Sequence, residues 1–349
     1  MQDNTLTVVT RVTSTVILTI LKRMILLLKS QQLTTSMKTV GITGAAGYIG
    51  SRVCYELKNS YSIVPIDNFF KGSIRKIDDI EVIKADIRDR KKMESLLDVD
   101  CIAHLAAIPG VEPCNNAKEL SYDVNVNGTR IIAEICREHH IPLIFATSFG
   151  TMGDPQYTPI DENHPRNPIH WYGKTKHYGE EIITQASLDN FPCYFLIKSN
   201  VYGMHLINST PIFKPTVTNK FVDLAKTNGK ILIYRPGTQA RNFLHVKDAA
   251  LSYRLAIPHV LRAKPRPESF CIATSESVSI KALAEKVASI SREYNLSPEI
   301  YMADNPRTET LVEDFSVDIT KAEKVLGFSP QYTIEKAVRE MLDLNTNHL

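Results

Sequence analysis

The sequence predicts an α/β protein whose main body is a doubly wound parallel sheet, followed by a smaller α+β portion. Three observations predict it. Short apolar runs alternate with helical patterns from Thr39 to about Asn200, the alternation that yields parallel sheets covered on both faces. The first run leads straight into a glycine-rich turn, TGAAGYIG. Polar residues gather after the carboxyl ends of the runs, where open parallel sheets bind their ligands.

The 349 residues, 43% of them hydrophobic, suffice for a large core. A formal charge of +3 without a concentrated basic stretch argues against nucleic acid as a partner. The six cysteines, Cys54, Cys101, Cys114, Cys136, Cys193 and Cys271, are scattered, and no pair has metal-ligand spacing. They read as reduced, buried thiols of a cytoplasmic protein that holds no metal. Near the start, TVILTILKRMILLL is apolar but broken by Lys22 and Arg23. Each half is too short to span a bilayer, and no clear small-residue cleavage site follows. From Met37 the chain reads like a protein start. Residues 1–36 are therefore expected to be an upstream extension, disordered or loosely helical, rather than a membrane anchor.

The elements follow in order. TVGIT reads as the first strand and YIGSRVCYELKNS as the helix after the turn, with Gly44, Gly47 and Gly50 between and within them. Gly44 suits a sharp turn, Gly47 a close approach to a pyrophosphate, and Gly50 close packing of helix on sheet. The helix N-terminus offers free N–H groups to phosphate. The second strand, YSIVPID, ends at Asp67, 23 positions after Gly44. A carboxylate there accepts both adenosine ribose hydroxyls and repels a 2′-phosphate, which favours NAD over NADP. Lys71 and Arg75 close by keep NADP as the alternative. The third run, IEVIKADIRD, passes Asp86, a reader of the adenine amino group or a helix N-cap. VDCIAHLAA and IPLIFATS read as the fourth and fifth strands, with a long helix through SYDVNVNGTRIIAEICREHH between them, and CYFLIKSN as the sixth. In WYGKTKHYGE, Tyr172 and Lys176 stand four apart and share one helix face.

Taken in sequence, TGAAGYIGS, IDN, ADIRD, HLAA, NVNGT, ATS, YGKTK, NVYG, RNFLHVKDAA and DITKAEKVLGFSP resemble the extended short-chain dehydrogenase/reductase family, close to its nucleotide-sugar epimerases. The resemblance runs from about Lys38 to about Leu342. It implies a Rossmann-type NAD-binding domain over 37–200 and a mainly substrate-binding domain over 201–349, some of whose segments return to the sheet. It implies cofactor contacts at Gly44, Gly47, Tyr48, Ile49, Gly50, Asp67, Asn68, Asp86, Ile87, Leu105, Ala106 and Ala107. Asn125 would brace the loops near the nicotinamide. Ser148, Tyr172 and Lys176 would be catalytic, the last two also holding cofactor.

The resemblance further implies that Asn200, Arg241 and Arg307 grip a substrate diphosphate with Ser148 at the sugar, two guanidiniums suiting a diphosphate. His245 and Asp248 would order a loop and cap the next helix. Two departures bear on the substrate. Met152 replaces a family tyrosine, removing a polar group on the substrate side, and Phe315 favours a plain hexose. Dehydratases of the family place an Asp–Glu pair where this chain reads TSFG, which disfavours water elimination.

A free tyrosine, with a pKa near ~10, is a poor base at neutral pH. A neighbouring ammonium and the positive nicotinamide are expected to lower it, at roughly 3–4 kcal/mol of differential interaction. The expected activity is NAD-dependent 4-epimerisation of a UDP-hexose through a 4-keto sugar. A reductase of the same fold is the alternative; a non-catalytic binding module, which would tend to lack the Tyr or Lys, is the weaker reading. Apolar stripes on IIAEICREHH and EEIITQASL fit a homodimer built on these helices, or burial within the monomer.

Overall fold

The computed structural model describes residues 37–227, 229–305 and 311–344. The expected extension over 1–36 and Arg307 lie outside the described residues. Seven strands form one sheet: β1 (Thr39–Thr43), β2 (Ser62–Asp67), β3 (Ile83–Lys84), β4 (Cys101–His104), β5 (Leu143–Ser148), β6 (Cys193–Lys198) and β7 (Pro267–Ile272). Their order is β7-β6-β5-β4-β1-β2-β3, and every pairing is parallel. The order reverses between β1 and β4, so a crevice opens beyond their carboxyl ends. All six residues of β6 are buried, as a strand covered on both faces requires.

The longer helices are α1 (Tyr48–Leu57), α2 (Thr129–His139), α3 (Trp171–Ser187), α4 (Val217–Thr227), α5 (Val246–Val260), α6 (Ile280–Glu293) and α7 (Ile334–Asp343). One face of the sheet packs on α1 and α5 through Val40, Ile42, Val53, Leu57, Leu244, Tyr253 and Phe270. Ala249, Ala250 and Ala256 are fully buried, and these small residues let α5 lie close against its neighbours. The other face packs on α2 and α3 through Ile102, Ile132, Phe145, Ile183 and Phe195. Each fully buried Ile or Phe of these layers contributes about 1.5–3 kcal/mol. A third cluster joins α4, α6 and α7 to a parallel pair, Lys230–Tyr234 with Glu299–Ala303. Residues beyond 200 thus supply both a strand and a covering helix to the main sheet.

Three local differences from the expected elements have clear causes. The third run contributes only Ile83–Lys84 to the sheet, because Asp78, with φ of 50°, turns Ile80–Glu81 back onto Lys76–Ile77. The sixth strand stops at Lys198, and Asn200–Tyr202 pairs with Phe243–His245 instead. The helix before β5 is interrupted by a π-turn over Asp123–Gly128, which places Asn125 off the regular ladder. All six cysteines are buried and free. Among the described residues, no helix is long and apolar enough to cross a membrane.

Candidate active site

The glycine turn is built by close contacts. Gly44 has φ of +75°, and a Cβ there would lie 2.7 Å from the Ala106 nitrogen. A Cβ at Gly50 would lie 2.0 Å from the Gly44 carbonyl oxygen, so helix and turn meet without room for a methyl group. At Gly47 an added Cβ would meet only the Gly44 oxygen, at 3.3 Å, leaving that side of the turn open. Gly47 is also the N-cap of α1, and its residue type gives the helix no side-chain cap. The first-turn amides, including those of Tyr48 and Ile49, are thereby left for an anion. The Tyr48 phenol points elsewhere, donating to the Gly203 carbonyl at 2.8 Å.

Asp67 closes the turn from the next strand. Its Oδ2 accepts from the Ala46 amide at 3.0 Å and its Oδ1 from the Phe69 amide at 2.7 Å. Burial raises its pKa, and the two amides and Arg75 partly oppose that. The Arg75 guanidinium lies 3.6 Å from the centre of the Phe69 ring. Asp86 is held by Arg88, whose Nε and Nη2 donate to its two oxygens at 2.9 and 2.8 Å, while Asn68 donates to Oδ2 at 2.8 Å. These bonds, Arg88 first, hold its carboxyl well below the usual range. The helix-cap reading of Asp86 is corrected: Asp89 caps Arg90–Leu96, one turn later. Ile87 is buried and lies where a Cβ on Gly128 would touch it at 2.6 Å. Leu105 and Ala106 follow β4, their amides donating to the carbonyl oxygen and Oγ1 of Thr43 at 3.1 and 3.3 Å. Ala107 continues that loop, half-buried.

Ser148, Tyr172 and Lys176 meet at the end of β5. Gly173 makes this possible, since a Cβ there would sit 2.1 Å from the Gly150 carbonyl oxygen. The start of α3 therefore presses onto the turn after Ser148. The Ser148 hydroxyl accepts from the Gly150 amide at 3.2 Å and is hydrogen-bonded to the Tyr172 phenol. Lys176 is buried, with its Nζ 4.6 Å from the centre of the Phe145 ring. Burial pushes the Tyr172 phenol up to about 12, with a contribution from Cys114, and the Ser148 bond acts against it. Burial pushes the Lys176 ammonium down to about 8. Without the nicotinamide that the expectation included, the phenol lies above its ordinary value, because loss of hydration dominates. Any depression must come from what binds beside it.

Several bracing residues escaped the sequence reading. Asn125 was anticipated: its Oδ1 accepts from the Ile108 amide at 2.7 Å, and its Nδ2 donates to Thr175 Oγ1 at 3.0 Å. Thr175, which was not, donates in turn to the Tyr172 carbonyl at 2.9 Å. The Trp171 indole donates to Ser121 Oγ at 2.9 Å, tying the short helix Lys118–Tyr122 to the start of α3. Thr147 donates to buried Glu180, which also accepts from Arg166 at 3.1 Å. Glu180 stands four residues after Lys176, a spacing that puts the two on one helix face. His104 bridges Thr43 and Thr129 at 2.7 and 3.0 Å beneath the turn.

The remaining predicted residues lie on the C-terminal half. Asn200 is exposed, two residues past Lys198, the partner of Ser148 in the sheet. Its Nδ2 donates to the Asn242 carbonyl at 3.0 Å, which brings it beside half-buried Arg241. His245 caps α5, accepting from the Lys247 amide at 3.3 Å, and stacks on Tyr332. Asp248 accepts from the Gln331 and Tyr332 amides and so fixes the segment before α7. The expected substrate-side effect of Met152 is corrected: its side chain is 1% exposed, packed with Phe149, Ile160, Val317 and Ile319. Phe315 meets Phe149 edge-on at 5.9 Å, backing the turn after Ser148.

The site thus combines an open glycine turn, an uncapped helix start and an acidic strand end, a cradle that fits a dinucleotide. Comparison with known proteins agrees. The model of the NAD dependent epimerase/dehydratase family matches residues 40–273. A Methanocaldococcus jannaschii protein, provisionally named UDP-glucose 4-epimerase, is 33% identical over 315 residues, 88% of this chain and 98% of its own. A Lactobacillus helveticus UDP-glucose 4-epimerase is 28% identical, covering 83% of this chain and 92% of its own. The crystal structure of UDP-glucose 4-epimerase from Bifidobacterium longum in complex with NAD+ and UDP shares the fold, with a TM-score of 0.75 at 22% identity over 87% of this chain and 97% of that one. The chain belongs to the NAD dependent epimerase/dehydratase family, and its cofactor is NAD.

Proposed function

We propose that this chain is an NAD-dependent nucleotide-sugar 4-epimerase acting on UDP-glucose and UDP-galactose. One observation carries the reading: Ser148, Tyr172 and Lys176 converge at the sheet edge that also carries the glycine turn. The printed names of the full-length relatives support the substrate class. A dehydratase reading, raised by a mouse dTDP-D-glucose 4,6-dehydratase at 27% identity, lacks its acid. Ser148 is followed by buried Phe149 and by Gly150, which offer no carboxylate.

The dinucleotide would lie along Gly44, Gly47 and Gly50 with its pyrophosphate at the amides of Tyr48 and Ile49. Asp67 would take the adenosine ribose, and Asn68, Asp86 and Ile87 would flank the adenine. Leu105, Ala106, Ala107 and Asn125 would shape the nicotinamide side, with Tyr172 and Lys176 on that ribose. NAD held there would supply reversible hydride transfer with the sugar carbon. Tyr172 takes the proton of the sugar 4-hydroxyl and gives it back to the 4-keto oxygen. Ser148 donates a hydrogen bond to that oxygen and passes the proton. Lys176 supplies positive charge that favours the phenolate. Asn200, Arg241 and Arg307 anchor the diphosphate while the sugar turns.

The test is conversion of UDP-galactose to UDP-glucose by purified protein without added cofactor. Tyr172→Phe is expected to lower turnover by at least about a hundredfold, the scale of lost acid–base catalysis, with bound NAD retained. Unchanged turnover would overturn the assignment, and a stoichiometric need for NAD(P)H would mark a reductase instead. A homodimer in the cytoplasm completes the proposal. It is supported by Tyr122, Trp171 and Tyr178, which form a partly exposed aromatic cluster at α3, and by the six free thiols. Sedimentation equilibrium reads the dimer directly.

A further inference from the structure

Tyr172, Lys176 and Glu180 follow one another at intervals of four residues along α3 and share one face of it. The last of the three has no role in the reaction as described so far. Lys176 and Glu180 are 3% and 6% exposed. Both reach β5: the Lys176 ammonium is 4.6 Å from the centre of the Phe145 ring, and the Glu180 carboxylate accepts from Thr147 Oγ1. Phe145 and Thr147 stand two apart in the strand and share one face of it. Helix side chains lean toward the helix N-terminus, so Glu180 leans toward Lys176. The second Glu180 oxygen, Oε2, accepts from Arg166 Nε at 3.1 Å. Arg166 is itself pinned, its Nη1 donating to the Glu162 and His164 carbonyls at 3.2 and 2.8 Å. Glu162 in turn accepts from the Cys271 amide of β7 at 2.8 Å.

Burial works against the Lys176 ammonium, while Cys114 and Glu180 favour it. Cys114, in the short helix Val111–Asn116, is a buried thiol whose own pKa is raised first by burial, so it is uncharged where Lys176 titrates. His104 on β4 is neutral, because burial and then the charge of Lys176 push its pKa down to about 3. Lys198 on β6 is a further buried amine, lowered by burial and then by Lys176. Tyr172 is an un-ionised phenol in the protein alone. Of these groups facing Lys176 among the described residues, Glu180 offers the negative charge at neutral pH. Once Tyr172 gives up its proton, the row reads phenolate, ammonium, carboxylate, guanidinium, each sign opposed by its neighbour.

We propose that Glu180 is a positioning residue of the reaction: held by Thr147 and Arg166, it is the counter-charge that keeps Lys176 cationic while Tyr172 exchanges its proton. The exchange itself rests on the epimerase reading above; the counter-charge is a property of the ligand-free protein. Glu180 acts through Lys176 and not on the sugar.

The experiment compares wild type, Glu180→Gln and Thr147→Val. It measures kcat and KM for UDP-galactose across neutral and alkaline pH, and urea midpoints of the ligand-free proteins over the same range. Glutamine keeps the length of the side chain and an oxygen for Thr147 but removes the charge. Loss of an opposite charge is expected to move the alkaline fall of kcat about one pH unit lower, leaving turnover beyond it about tenfold below wild type with KM unchanged. In urea, wild-type stability rises from about pH 8 upward, as folded Lys176 releases its proton before the unfolded chain does. That rise is expected to begin about one pH unit earlier in Glu180→Gln. Thr147→Val keeps the charge, so its fall and rise are expected at the wild-type pH. The double variant Glu180→Gln/Arg166→Met leaves neither charge stranded and is expected to show the same early fall and early rise; it decides the matter should the single variant not fold. A fall and a rise at the wild-type pH in the charge variants overturn the proposal, as does a loss of turnover uniform across pH. An equal shift in Thr147→Val shows an effect of packing and overturns it too. A wild type that converts no UDP-galactose overturns the epimerase reading, and the urea rise alone then supports or overturns the counter-charge.

Discussion

Lys176 carries a stability cost that its removal exposes. The side chain is 3% exposed, and burial takes its pKa from 10.5 to about 8. Below pH 8 the lysine is protonated in both the folded and the unfolded chain, so the whole penalty of burying the charge is present. As pH rises from 8 to 10.5 the folded chain releases the proton first, and the penalty fades. The difference corresponds to about 3 kcal/mol. Lys176→Met replaces the stem with an apolar chain of similar length but forfeits the ammonium contact with Phe145, about 1 kcal/mol. The variant is therefore expected to be about 2 kcal/mol more stable than wild type at pH 7 while losing activity. At pH 10.5 the folded lysine is neutral, so the ammonium contact no longer counts, and the gain is expected to shrink to near zero as the penalty fades. Urea unfolding of both proteins at the two pH values checks this, and subtraction removes groups common to both. A variant less stable than wild type at pH 7, or a gain that does not change with pH, would refute the reasoning.

His104 gives the opposite limb. Burial pushes its pKa from 6.5 down to about 3. The unfolded chain gains that proton below pH 6.5 while the folded chain refuses it until pH 3, so stability falls by about 1.4 kcal/mol per pH unit across the window. His104→Gln is expected to flatten that slope in urea midpoints measured between pH 6.5 and 4. At the turn, Gly50→Ala is expected to lower the melting temperature by several degrees and abolish NAD binding, because the new methyl meets backbone at 2.0 Å. Gly47→Ala meets only one oxygen at 3.3 Å, so it is expected to keep the melting temperature and lose NAD affinity.

Local chemistry made much of this site legible in the sequence. The glycine turn, the acid ending β2 and the Tyr–Lys pair of α3 each depend on a few neighbouring residues, and their spacing survives into three dimensions. What stayed hidden depends on distant partners. Nothing in the sequence around Tyr48 announces that its phenol reaches Gly203. The Thr147–Glu180–Arg166 chain joins three segments brought together only when α3 packs on the sheet. The direction of the Tyr172 shift also depended on burial, because the sequence shows a lysine one turn away but not how dry the pocket is. Met152 was misplaced for the same reason, since position beside a turn does not reveal which way a side chain faces.

The last strand of the main sheet, β7, pairs with β6 and is separated from it in the chain by the whole stretch that builds α4 and α5. A ribosome therefore finishes the segment carrying Ser148, Tyr172 and Lys176 well before it supplies the strand that borders them. During that interval the β6 edge is open, and an open apolar edge is a template for pairing with another chain. Any fragment that ends before residue 267 inherits the same bare border permanently, so the cofactor half of this molecule is not a portable module.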